Sequence, residues 1–199
     1  MRLADVVVPD TSTARLAVEV LERHSMPALV NHCRRSYLLA ASLAQLDGVA
    51  VDHEVLWVAA MLHDLGLEDP FDSHRLPFEQ AGGHVAWVFT AGAGWPEARR
   101  DQVSAAIVAH MVGTDPAVDP AGHLLDLATG LDISGKRAER WPAPLLTELV
   151  AAFPRLDLAG RFIACIEDQA ARKPASAAAD AVRAGIADRL AANPLDDLN

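Results

Sequence analysis

The segment that most restricts the fold is VLWVAAML, Val55 to Leu62, which carries no charge. Wound as a helix it is apolar on nearly every side, so other elements must surround it. It runs straight into His63 and Asp64, within AAMLHDLGLEDP. An ionised carboxylate at the end of a buried segment is costly unless something pairs with it. The partner of Asp64 therefore bears directly on what the chain does.

Nearly every other segment also reads as helix. Thr11 or Ser12 caps a first helix to about His24. Pro27 opens a second, closed near Gly48. Asp52, His53 and Glu54 start the central third, with acids in its first turn and Gly66 as its expected C-cap. A loop follows over Glu68 to Pro77. Further helices are expected over Phe78 to Thr90, Pro96 to Val112, His123 to Leu131, Pro144 to Phe153 and Leu158 to Arg172. Pro174 breaks the chain before one last amphipathic helix, SAAADAVRAGIADRLAA. No segment alternates long enough for a strand; VVV at 6–8 is the best candidate and stands alone. The expectation is one all-α domain over residues 1–199, a bundle of about eight or nine helices.

Composition narrows the function classes. The chain has 199 residues, enough for one domain with a real core. Its net charge is −10 and it shows no basic stripe. Phosphate-backbone binding needs clustered Lys and Arg, so nucleic acid is not an expected partner. The longest uncharged apolar run is far short of the roughly 20 residues that span a bilayer, and MRLADVVVPD is not a secretory signal. With only Cys33 and Cys165 there is no disulfide framework. Two buried free thiols in a reducing cytoplasm are expected.

Among eight histidines, His24, His53, His74 and His123 fall near helix ends or in loops and read as solvated. His32, His63, His84 and His110 fall inside helical segments beside apolar neighbours. Imidazoles gathered with a carboxylate suit Zn, Fe, Mn or Co, and a divalent ion would neutralise a buried Asp64. No second His or Cys stands at a local chelating spacing such as i, i+4, so the remaining ligands must come from other helices.

These segments, in this order, resemble the HD-domain superfamily of metal-dependent phosphohydrolases, and most closely its cyanamide hydratase-like branch. NHCRRSYLLA is similar to that branch's NHSxRVYxFA, and AAMLHDLGL to its helix carrying the HD pair. PFEQAGG resembles RFEVEGA, AIVAHM resembles AIALHT, and GLDISG resembles the segment holding the last Asp. The resemblance covers about residues 28–175. It implies that His32, His63, Asp64 and Asp132 hold one divalent transition metal. On the residues alone Asp126 and Asp132 rank equally; the motif position favours Asp132.

The resemblance implies further roles and marks some departures. Arg35, three positions after His32 and so on the same helical face, matches the branch's Arg. It would hold an anionic substrate group, orient Asp64 or pair between helices. Glu79 would shuttle protons if burial raises its pKa, and His110 would contact substrate or water. In two-metal members a further histidine precedes the glycine of the next helix. Counting back from Gly82, that position holds Phe78, so one ion is expected; a second would need His84 and His110. The implied activity is attack of a metal-activated water on a small-molecule phosphate ester or nitrile-like carbon. Two other readings share the fold: a di-iron oxygenase and a catalytically silent binding module. Either a monomer or a homodimer is compatible with the sequence.

Overall fold

The computed structural model describes residues 1–198. Ten α-helices run in order: α1 (Ser12–His24), α2 (Pro27–Asp47), α3 (His53–Leu62), α4 (Phe78–Gly92), α5 (Glu97–Val112), α6 (Pro120–Ser134), α7 (Ala143–Ala152), α8 (Leu158–Arg172), α9 (Ala177–Arg183) and α10 (Ile186–Ala191). No strand is present among the described residues; Val6 is buried, while Val7 and Val8 are exposed.

Local chemistry sets most of the boundaries. Thr11 accepts the Ala14 N–H at 3.0 Å and starts α1. Asp52 accepts the N–H groups of Glu54 and Val55 to start α3. Asp119 accepts the Gly122 N–H at 2.8 Å to start α6, and Ser176 caps α9 on Ala179. Each satisfies a donor that the first helical turn leaves free. Pro27 sits at the first turn of α2, which ends at Gly48 in the left-handed region, φ +67°.

Three expectations are corrected. The central helix stops at Leu62 rather than near Gly66, and a 3-10 turn follows over Leu65–Leu67. Gly66 is not its cap. There the backbone lies so close to α4 that a Cβ would fall 2.0 Å from the Phe78 carbonyl oxygen. The sixth helix starts at Pro120, three residues before His123, because proline fits the first turn of a helix. The last helix is two, α9 and α10, divided at Gly185 with φ +75°. That division brings the count to ten.

Tertiary packing puts α3 in the middle. It contacts α1, α2, α4, α5 and α6, and Val55, Leu56 and every residue from Val58 to Leu62 are buried. Helix α2 lies across α3 and α6, α4 pairs with α5, and α5 with α6. A second, smaller apolar cluster joins Phe78, Ile133, Leu158, Phe162, Ile166 and Ile186. It draws α8, α9 and α10 over the ends of α2, α3 and α6, where the polar residues collect.

Candidate metal centre

His32 lies on the first turns of α2, and His63 and Asp64 immediately follow the last turn of α3. All three are essentially without solvent exposure. His32 Nε2 and His63 Nε2 are 3.1 Å apart. Asp64 Oδ2 is 3.4 Å from the first and 3.3 Å from the second. One donor atom from each residue lies within 4.8 Å of the other two. Adjacent helical residues diverge by about 100°, whereas His63 and Asp64 lie past the end of α3 at Leu62, in the turn that leads into Leu65–Leu67.

The outer edges of the rings fix where the protons are. His32 Nδ1 donates to Asp132 Oδ2 at 2.6 Å. His63 Nδ1 donates to the Ala60 carbonyl at 2.8 Å. His110, on α5, donates from Nδ1 to the Ile107 carbonyl. These partners are acceptors, so each neutral ring carries its proton on Nδ1 and turns a bare Nε2 inward. His110 Nε2 lies 3.9 Å from Asp64 Oδ1. Asp64 Oδ2 is buried and has no hydrogen-bond partner. Lone pairs and an orphaned carboxylate oxygen facing one another repel unless a cation lies among them. The donor set fits a divalent transition metal.

Electrostatics agree with that geometry. Burial pulls His32 below the usual histidine range, against the pull of Asp132. Burial lowers His110 to about 3. Burial opposes protonation of His63 as well, but the carboxylate of Asp64 outweighs it and raises His63. Asp64 itself lies well below the carboxylate range: burial pushes it up, and His63, then His32, pull it further down.

Asp132 is close but placed differently from expectation. Its carboxylate faces the Nδ1 edge of His32, not the Nε2 edge that turns toward His63 and Asp64. Arg35 donates Nε to Oδ1 at 2.7 Å and Nη2 to Oδ2 at 2.8 Å. Arg155 approaches Oδ1 at 3.3 Å and donates to the Asp132 main-chain carbonyl. Asp132 thus lies behind His32 and is not one of the three grouped donors. A carboxylate behind a ligating histidine fixes its tautomer and raises its basicity. Burial resists the charge on Asp132, and Arg35 overcomes it, holding the group far below the carboxylate range.

Other expected roles change too. Arg35 is fully buried, its Nη1 donates to the Phe153 and Pro154 carbonyls, and it does not line the cavity described below, so it serves as the ion pair between α2 and α6 and not as a substrate contact. Glu79 is buried, its Oε2 has no partner, and burial raises its pKa. It does not line the cavity described below, so it is not positioned to shuttle protons there. His84 is exposed on α4 and cannot share an ion with buried His110. Phe78, at the position where the resemblance expects a second metal's histidine, has its ring centroid 5.8 Å from that of His110. Asp126 is half-buried on the cavity wall. Cys33 is buried and Cys165 half-buried, both free thiols. Arg155 went unread in the sequence: a lone Arg in the turn FPRLD carries no periodic or motif signal.

His32, His63, Asp64 and His110 form the floor of a cavity of about 510 Å³. Its walls come from the ends of α5 and α6, from α8, and from α9 and α10.

A buried His, a His–Asp pair at a helix end and a distant Asp, gathered in an all-helical bundle, define a class. The HD domain family model matches residues 29–193, and the chain belongs to that family. The match runs past residue 175, into α9 and α10. Among curated relatives, cyanamide hydratase DDI2 and cyanamide hydratase DDI3 of Saccharomyces cerevisiae are each 30% identical over 178 residues. Each alignment covers 86% of this chain and 78% of the relative.

Proposed function

We propose that this chain is a metal-dependent hydratase or hydrolase of a small molecule, with a nitrile-like carbon as the reacting centre. The observation that carries the reading is the trio of convergent donor atoms, His32 Nε2, His63 Nε2 and Asp64 Oδ2, buried at the floor of an accessible cavity. These residues would hold one Zn, Fe, Mn or Co ion. When bound, such an ion acidifies water and polarises an electrophile.

The chain's own groups supply the rest. Asp132, locked by Arg35 and Arg155, keeps His32 in the tautomer that offers Nε2. Asp64 Oδ1 faces His110 and can accept a proton from water at that oxygen. His110, its basicity lowered by burial, offers Nε2 as a hydrogen-bond acceptor that orients water or a substrate N–H. The apolar side chains of α8 and α10 exclude bulk water and strengthen these interactions.

The printed names of the yeast relatives support a nitrile-like substrate. Phosphate-ester hydrolysis recruits several cations around the transferred group. Here Arg35 is committed to Asp132 and Arg34 to Glu22, leaving Lys136 and Arg189 on the cavity wall. The test is elemental analysis of purified protein followed by assays on cyanamide, other nitriles, nucleotides and phosphate esters. About one metal per chain and chelator-sensitive hydration of a nitrile are expected. Phosphate release without nitrile hydration would reassign the reaction. Protein that neither retains metal nor gains thermal stability from Zn, Mn or Fe would point to a binding module. About two irons per chain would point to the oxygenase.

A further inference from the structure

Cyanamide is a single carbon with its two nitrogens, whereas the cavity above the His32–His63–Asp64 floor measures about 510 Å³. Cavities in that range hold drug-sized molecules. Met111, Ile133, Phe162, Ile166, Ala181 and Ile186 form an apolar stretch of the wall beyond the polar floor, while Asp126, Lys136, Asp180 and Arg189 also line the cavity. A second feature points the same way. Gly130 lies inside α6 on this wall, and a Cβ added there would meet no atom of another segment within 4 Å. Glycine inside a helix is less stable than alanine. Neither a turn nor a close backbone approach requires it at Gly130, and its effect is to leave the cavity wide.

We propose that the preferred substrate is a nitrile or cyanamide with an apolar substituent of benzyl size or larger, its reacting carbon at the histidine floor and its substituent against α6, α8 and α10. This rests on the hydratase reading above. The reaction adds one water across the carbon–nitrogen triple bond. A C–O bond forms, both π bonds to nitrogen are lost, both water protons end on that nitrogen, and the oxygen becomes a carbonyl. A substituted cyanamide thus gives a substituted urea, with no oxidant or reductant needed.

The metal-loaded full chain would be assayed on cyanamide and on benzylcyanamide, as wild type and as Gly130→Leu. The expected kcat/KM is about tenfold or more higher for benzylcyanamide, since each well-packed carbon group is worth about that much. Gly130→Leu should lower that ratio at least about tenfold while strengthening the helix. A wild-type preference for cyanamide, or a ratio unmoved by Gly130→Leu, would overturn the inference and leave the hydratase reading intact. If neither compound is hydrated, the hydratase reading fails and calorimetry decides the cavity separately. Benzylurea binding that Gly130→Leu weakens supports a bulky apolar ligand, and no binding overturns it.

Discussion

At the scale of single residues, the donor geometry makes sharp demands. Substituting His32, His63 or Asp64 by Ala should abolish metal retention, because each supplies one of three convergent donors. His53→Ala should not, since His53 sits at the start of α3 beside the Tyr37 hydroxyl. Elemental analysis after gel filtration checks this, and equal loss in all four would place the metal elsewhere. Asp132→Asn has two expected consequences. It removes the counter-charge of buried Arg35 and Arg155, which should cost about 3–5 kcal/mol in urea unfolding at pH 7. It also loosens His32 and should weaken metal binding about 10–100-fold. The pH dependence follows from the same group. The pKa of Asp132 is lower in the folded chain than in the unfolded one. Its contribution is therefore complete above about pH 4, the unfolded value, and fades as pH falls below it. Unfolding between pH 5 and pH 2 should be steeper for the wild type than for Asp132→Asn. His32, His63 and Asp64 were legible from residue type, burial and resemblance. The part played by Asp132 was not, because which ring edge a carboxylate meets depends on where two arginines reach.

Among the elements, α3 is the one whose end matters most. Helix α3 must stop at Leu62, for a continuous helix would turn His63 and Asp64 apart. The close approach of Gly66 to the Phe78 carbonyl fixes the turn that follows. Gly82 closes the same contact from α4, where a Cβ would fall 2.9 Å from the His63 carbonyl. Gly66→Ala cannot be relieved by moving a flexible side chain. It should cost at least about 1–3 kcal/mol, read as a lowered Tm, with reduced metal retention because Asp64 shifts with the turn. The sequence signalled a glycine here and suggested a cap, since caps are what local patterns reveal. A backbone contact between residues 66 and 78 is a tertiary fact. Gly185 behaved the same way: periodicity runs unbroken through SAAADAVRAGIADRLAA, but the left-handed residue divides it so that α9 and α10 wrap the cavity.

For the whole molecule, a bound ion links α2 to the end of α3 and should act as a staple. At a free metal concentration 100 times Kd the gain is about 2.7 kcal/mol. For a chain of this size that corresponds to roughly 5–11 °C in Tm, measurable by scanning calorimetry with and without chelator. No change with Zn, Mn, Fe or Co would remove the ion from the account. Amino-acid order by itself determined the helical class and the central place of α3, and it singled out Asp64 as a carboxylate needing a partner; His32 entered through resemblance. Amino-acid order did so because helical period, caps and a charge at the end of an apolar run are local and physically costly to violate. Tertiary structure alone decided that Arg35 serves Asp132 instead of substrate, that His84 faces solvent, and that α9 and α10 enclose a wide cavity. Those outcomes depend on distances between segments far apart in the chain, and no local preference encodes them.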